Sequence, residues 1–127
     1  MKKPILTELA PEPIGPYNQA ISYDNMIFVS GQIPLNPKNG SLVKSGIREQ
    51  TKQVMENLKA ILYEANFQIN DIVKTSIFLK SMENFAEVNE EYGKYFENSI
   101  PPARETVEVS KLPLDVNVEI SCIAIKK

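Results

Sequence analysis

From Ala103 to Cys122 apolar and polar side chains alternate, and that pattern restricts the fold more than any other stretch. In an extended backbone successive side chains point to opposite faces. Between Ala103 and Val109 this puts Val107 and Val109 on an apolar face and Arg104, Thr106 and Glu108 on the other. Val116, Val118, Ile120 and Cys122 then alternate with Asn117, Glu119 and Ser121. The segment reads as two strands joined by a short turn, each burying its apolar side and presenting the other. Arg104 and Glu119 are thus expected on the presented sides, on rigid strands rather than loops. Alternation alone makes them a partly exposed cross-strand ion pair, worth ~0–1 kcal/mol. Pro101 and Pro102 restrict the backbone just before Arg104, and a guanidinium so placed can grip a ligand carboxylate with two hydrogen bonds.

The rest of the chain supplies the layer that such strands need. Ile47 to Ala65 carries Ile47, Val54, Leu58, Ile61, Leu62 and Ala65 at helical spacing, with Asn66 suited to the C-terminal cap. Arg48, Glu49, Lys52, Glu56 and Lys59 fall on its solvated faces. A second helix is expected from about Asn84 to Glu97, with Phe85, Val88, Tyr92 and Phe96 on one face and Asn89 beside them. A polar residue so close to an apolar stripe needs a partner.

Ile72 to Leu79 is rich in β-branched residues and reads as a strand. Lys74 and Lys80 fit edge-protecting lysines better than ligand-binding ones. Ile5 to Leu9 is a candidate edge strand, blunted by Pro4 and Pro11. Tyr17–Tyr23 and Met26–Ile33, joined at Asp24-Asn25, read as a hairpin. Tyr17 at its start fits a boundary tyrosine with a wet hydroxyl. Gly31, after Ser30, marks either a bulge or a close approach of ligand or backbone. Pro34 to Gly46 is dense in turn formers and reads as loop.

The order β-ββ-α-β-α-ββ implies an α+β sandwich with both helices on one face of a sheet of about six strands. The other face is left uncovered in a lone subunit, so an oligomer is expected. At 127 residues a single domain, 1–127, is expected. A hydrophobic share of 43% and a charged share of 24% fit a soluble globular protein.

Several function classes are excluded or disfavoured. There is no histidine, so Ser-His-Asp, Cys-His and paired-histidine chemistry are closed. With one cysteine besides, a conventional zinc site is disfavoured, and no internal disulfide can form. A reducing, cytoplasmic setting is the default for such a chain. Cys122, on an apolar strand face, reads as a small buried hydrophobe. A formal charge of −2 argues against nucleic-acid or membrane-surface binding. Met1-Lys2-Lys3 starts like a signal segment, but Pro4, Thr7, Glu8, Pro11 and Glu12 interrupt any apolar run.

P-P-A-R-E-T-V-E-V at 101–109 and V-N-V-E-I-S-C-I-A-I at 116–125 resemble the C-terminal signature of the RidA family, the YjgF-like reactive-intermediate deaminases. G-P-Y-N-Q-A-I at 15–21, F-V-S-G-Q-I-P at 28–34, D-I-V-K-T-S-I-F-L at 71–79 and F-A-E-V-N-E-E-Y at 85–92 resemble its other motifs, in order and without large insertions. The resemblance implies a chorismate-mutase-like fold and a homotrimer with clefts between subunits. It further implies cofactor-independent hydrolysis of 2-aminoacrylate and related imines to 2-keto acids and ammonia.

Carried over to matching positions, Arg104 and the Thr106 backbone N–H would hold the substrate carboxylate. Glu119 would activate water, while Tyr17, Ser30 and Gly31 would shape the pocket and Asn89 would support it from a neighbouring subunit. Many relatives carry cysteine where this chain has Thr106, which removes thiol-based regulation but not the backbone donor. A non-catalytic trimer that senses small metabolites through a protein partner is the alternative. The ribonuclease or translation-inhibitor reading given to part of the family ranks below both, because histidine and a basic stripe are missing.

Overall fold

Residues 47–65 close into one helical stripe, and a sheet is laid beneath it. The computed structural model describes all 127 residues. The strands are β1 (Lys3–Ile5), β2 (Ala20–Tyr23), β3 (Met26–Gln32), β4 (Leu35–Asn36), β5 (Ser41–Leu42), β6 (Ile72–Leu79), β7 (Ala103–Glu108) and β8 (Val118–Ile125). The helices are α1 (Ile47–Glu64) and α2 (Phe85–Gly93), the latter prolonged by one 3-10 turn, Lys94–Phe96. Six strands form one sheet in the order β1-β2-β3-β8-β6-β7, with β4 and β5 a separate ribbon. The region expected to be loop, 34–46, therefore contains that ribbon.

Val54, Met55, Leu58, Ile61 and Leu62 of α1 are fully buried against Ile27, Ile77, Leu79, Val118 and Ile120 of the sheet. Each such side chain contributes about 1.5–3 kcal/mol on burial. The helix stops at Ala65, and Asn66 takes the left-handed conformation (φ 63°) expected of the residue after a C-cap. Polar groups fasten α1 to the sheet end. The Asn57 amide nitrogen donates to the carbonyls of Ile33 (3.1 Å) and Leu35 (3.0 Å), just beyond β3.

Three expectations for the N-terminal region shift. The edge strand is Lys3–Ile5 rather than Ile5–Leu9, with Pro4 inside it, where an edge tolerates a missing N–H. The β2–β3 hairpin is present, turning at Asp24 (φ 52°), but β2 begins at Ala20. Tyr17 therefore lies in a turn, its N–H bonded to the Gly15 carbonyl (2.9 Å). The buried Gln19 prevents an earlier start by clamping the preceding segment. Its Oε1 accepts from Thr7 N–H (2.8 Å), and its Nε2 donates to the carbonyls of Thr7 (3.0 Å) and Pro11 (2.9 Å).

The C-terminal pair is the larger correction. β7 and β8 are not a hairpin, because β6 lies between them, antiparallel to β8 and parallel to β7. The parallel β6–β7 pair is connected through α2, as parallel strands require a crossover. β8 takes the centre because Val118, Ile120, Cys122 and Ala124 are all buried under the helices. β7, with Arg104, Glu105 and Glu108, takes the edge, which suits charged side chains.

The faces of β7 are also reversed from the expected assignment. Val107 points away from the helices and is 41% exposed, whereas Arg104 and Thr106 are half-buried on the helix side. Lys74 lies on an internal strand rather than an edge, and pairs with Glu105 (2.8 Å). Both helices pack on one sheet face. The other, carrying Ile21, Tyr23, Phe28, Phe78, Val107, Ile123 and Ile125, is uncovered, with Phe28 43% exposed.

Candidate functional site

The predicted site residues fall into two clusters. Glu119 shares its sheet face with Phe78 and Val107, its cross-strand neighbours. Arg104 shares the opposite face with Thr75 and Cys122. Two strand steps, about 10 Å, and the thickness of the sheet separate them. The expected cross-strand ion pair is therefore not formed, and one chain does not bring these two groups together.

The Glu119 cluster is built on a bulge. Between Val29 and Gln32 the β3–β8 register slips, so Ser30 and Gly31 together oppose Ser121. The bulge reading of Gly31 holds, and what approaches it closely is a side chain, that of Glu119. A Cβ there would sit 2.7 Å from the Glu119 carboxyl carbon and 2.9 Å from its Cγ. Glu119 thus lies directly over the glycine. Half-buried and with no hydrogen bond or cation recorded beside it, its carboxyl is raised above the ordinary glutamate value by desolvation.

The Ser30 hydroxyl donates to the Asn18 carbonyl (2.6 Å) and its N–H to the Gln19 carbonyl (2.9 Å). These bonds tether the Tyr17 turn to the bulge. Tyr17 is 48% exposed, and its hydroxyl accepts from Ile14 N–H (3.3 Å). Tyr17, Gly31, Ile14, Ile33 and Leu114 line a cavity of about 30 Å³.

The Arg104 cluster lies where the β7 edge meets α2. The guanidinium carbon is 5.1 Å from the Tyr92 ring centre and 5.8 Å from that of Phe85, a packing that orients the planar fork. Tyr92 is held in turn by a 2.7 Å hydrogen bond between its hydroxyl and Thr75 Oγ1. Desolvation raises the Tyr92 hydroxyl, against the Thr75 bond and the charge of Arg104. Arg104 is in none of the ion pairs of the chain. The Thr106 hydroxyl beside it is buried with no hydrogen-bond partner. Asn89, half-buried, falls between Phe85 and Tyr92 on the same stripe of α2. Cys122 is buried and its thiol pushed up to about 12, which leaves it inert at neutral pH.

Lys80 pairs with Asp115 (2.9 Å), so neither Lys74 nor Lys80 is a free cation for a ligand. Two residues of the site escape the sequence reading. Gln19 carries no signal beyond its place in G-P-Y-N-Q-A-I, and Leu114 sits in a conformation that leucine disfavours.

The fold is an α+β class: a six-stranded sheet with both helices on one face, carrying a strand-borne guanidinium outside any ion pair and a carboxylate over a glycine bulge. The endoribonuclease L-PSP family profile matches residues 7–126, and the chain belongs to that family, whose RidA/YjgF-like motifs it carries. It is 54% identical over 127 residues to a RutC family protein of Pyrococcus horikoshii, covering 100% of both chains. It is 46% identical over 129 residues to the 2-iminobutanoate/2-iminopropanoate deaminase of Escherichia coli K12, again covering 100% of both. The fold superposes on E. coli TdcF with bound serine at a TM-score of 0.95 and 38% identity, covering 98% of this chain and 99% of that one. No helix is long and apolar enough to cross a membrane.

Proposed function

We propose that the protein is a homotrimeric imine/enamine deaminase that hydrolyses 2-imino acids to 2-keto acids and ammonia. The observation that carries this reading is the pair of uncompensated charges: Arg104 without an anion and Glu119 without a cation or donor. They lie on opposite faces of one chain, so a shared pocket needs a second copy. The uncovered apolar face supplies a surface for that copy. Arg104 and Thr106 of one subunit then meet Tyr17, Ser30, Gly31 and Glu119 of the next, with Asn89 at the rim. The names of the deaminase relative and of the serine-bound TdcF support a small ligand with a carboxylate.

In the proposed reaction the substrate carboxylate lies in the Arg104 fork and beside the Thr106 N–H. Glu119 takes a proton from water as the water oxygen bonds to the imine carbon. That proton passes to the imine nitrogen to complete the carbinolamine; the hydroxyl proton then moves through Glu119 to the amine, the carbon–nitrogen bond breaks, and ammonia leaves as the carbonyl forms. No cofactor enters. Orientation and acid–base help of order 10²–10⁴-fold suffice for a bond that water already cleaves.

A sensing trimer that binds 2-keto acids and acts through a protein partner is the second reading, because the Arg104 grip requires no chemistry. Generating the imine in situ with a serine or threonine dehydratase separates the two. The deaminase reading requires wild type to shorten the imine lifetime. Binding of pyruvate with an unchanged imine lifetime would transfer the case to the sensor.

A further inference from the structure

Leu114 combines two observations that the deaminase reading leaves unused. It adopts the left-handed conformation (φ 54°, ψ 21°), and Asp115 after it does the same (φ 55°). Branched apolar residues rarely enter that region. The conformation is imposed from both sides. Leu112 and Val116 are buried anchors, the Asp115 N–H bonds the Leu112 carbonyl (3.0 Å), and Lys80 holds the Asp115 carboxylate at 2.9 Å. The Leu114 side chain gains little within the chain in return, being 57% exposed. A strained residue whose side chain does not serve the core points to a role at a site.

Its position supplies that role. Leu114 lines the cavity of about 30 Å³ that contains Tyr17 and Gly31. It also lines a neighbouring cavity of about 350 Å³, together with Lys44, Gln50 and Asn117. It therefore stands between the two.

We propose that Leu114 is the specificity-determining wall of the site, closing the small cavity against the large one and limiting the substrate to short alkyl side chains. This rests on the deaminase reading for its substrate class, but the wall itself does not depend on turnover. Gly31, over which the Glu119 carboxyl lies, is part of the cavity lining, so a substrate with its reacting carbon at Glu119 has its side chain beside this cavity. A volume of about 30 Å³ accepts one or two small groups and no more. Ile14, Ile33 and Leu114 are apolar members of its lining, which also includes Glu12, Gln19 and Gln32.

The test is Leu114→Gly, since glycine adopts this backbone without strain, with Leu114→Asn as a second variant that also tolerates it. Binding of pyruvate, 2-oxobutanoate and 2-oxohexanoate is measured by calorimetry, and kcat/KM for the corresponding imines is measured in parallel. Wild type is expected to favour the short acids over 2-oxohexanoate by roughly tenfold or more, the scale on which pockets discriminate methylenes. Leu114→Gly should reduce that ratio to near one, with an unchanged or higher Tm. An unchanged ratio in both variants overturns the wall. Loss of imine turnover in wild type with the binding ratio intact would overturn the deaminase reading and leave the wall standing.

Discussion

The carboxyl group of Glu119 occupies the space where Gly31 would carry a Cβ, with its carboxyl carbon 2.7 Å from that point. Gly31 is not in the positive-φ region, unlike Gly40 and Gly46, so alanine is acceptable to the backbone and only Glu119 stands in its way. Gly31→Ala should therefore fold, with a stability change within about 1 kcal/mol, because a half-buried side chain can swing out. Imine turnover should fall on the order of 10²-fold as the carboxylate leaves its place. Thermal melts and kcat on the same preparation check both halves, and a fully active variant would show that the contact is only packing.

Arg104→Lys keeps the charge and loses the planar fork. Loss of one charge-assisted hydrogen bond to the substrate carboxylate should cost roughly 1.5–3 kcal/mol, about one to two decades in kcat/KM. The fold should change little, since the ring contacts with Phe85 and Tyr92 are worth only about 0.5–1 kcal/mol at a part-exposed site. Equal kcat/KM for the two proteins would remove the bidentate grip from the account.

For Glu119 the pH dependence has a definite sign. Desolvation raises its carboxyl in the folded state, so the folded protein holds a proton that the unfolded chain has already released. That lowers stability as pH rises from the unfolded value, about 4.3, through the raised folded one, and the deficit persists at neutral pH. Glu119→Gln should consequently melt higher than wild type at pH 7, with the difference vanishing below about pH 4. Its imine turnover should be much reduced, and the limb of the wild-type rate profile that rises through a carboxyl above the ordinary glutamate range should be missing. Melting curves that differ equally at both pH values would assign the effect to shape rather than charge.

Much of the fold was legible in residue periodicity. The α1 stripe from Val54 to Leu62, the left-handed Asn66 and the strand Ile72–Leu79 appear where spacing and chemistry put them. Strand neighbours did not, because a period of two says which residues share a face but not which strand lies alongside. The intervening β6 thus breaks the expected hairpin of β7 and β8. At an edge strand the covered face is decided by the partner layer. The rings of Phe85 and Tyr92 attract Arg104, and Val107 is left outside.

Motifs nominate the candidate site residues, but their division between two faces was not readable, since it depends on the registers of β6 with β7 and with β8. Leu114 could not be found from propensity, which argues against the conformation it adopts.

The central claim is a site shared between copies, with Arg104 from one and Glu119 from another. Arg104→Ala and Glu119→Gln, each inactive alone, can be co-expressed with different tags and isolated as mixed oligomers. A subunit that keeps Arg104 beside one that keeps Glu119 rebuilds an intact site, and every mixed trimer contains one such site of its three, so the isolated mixed trimers should recover about a third of wild-type imine turnover. Mixed oligomers as inactive as their parents would contradict the shared site.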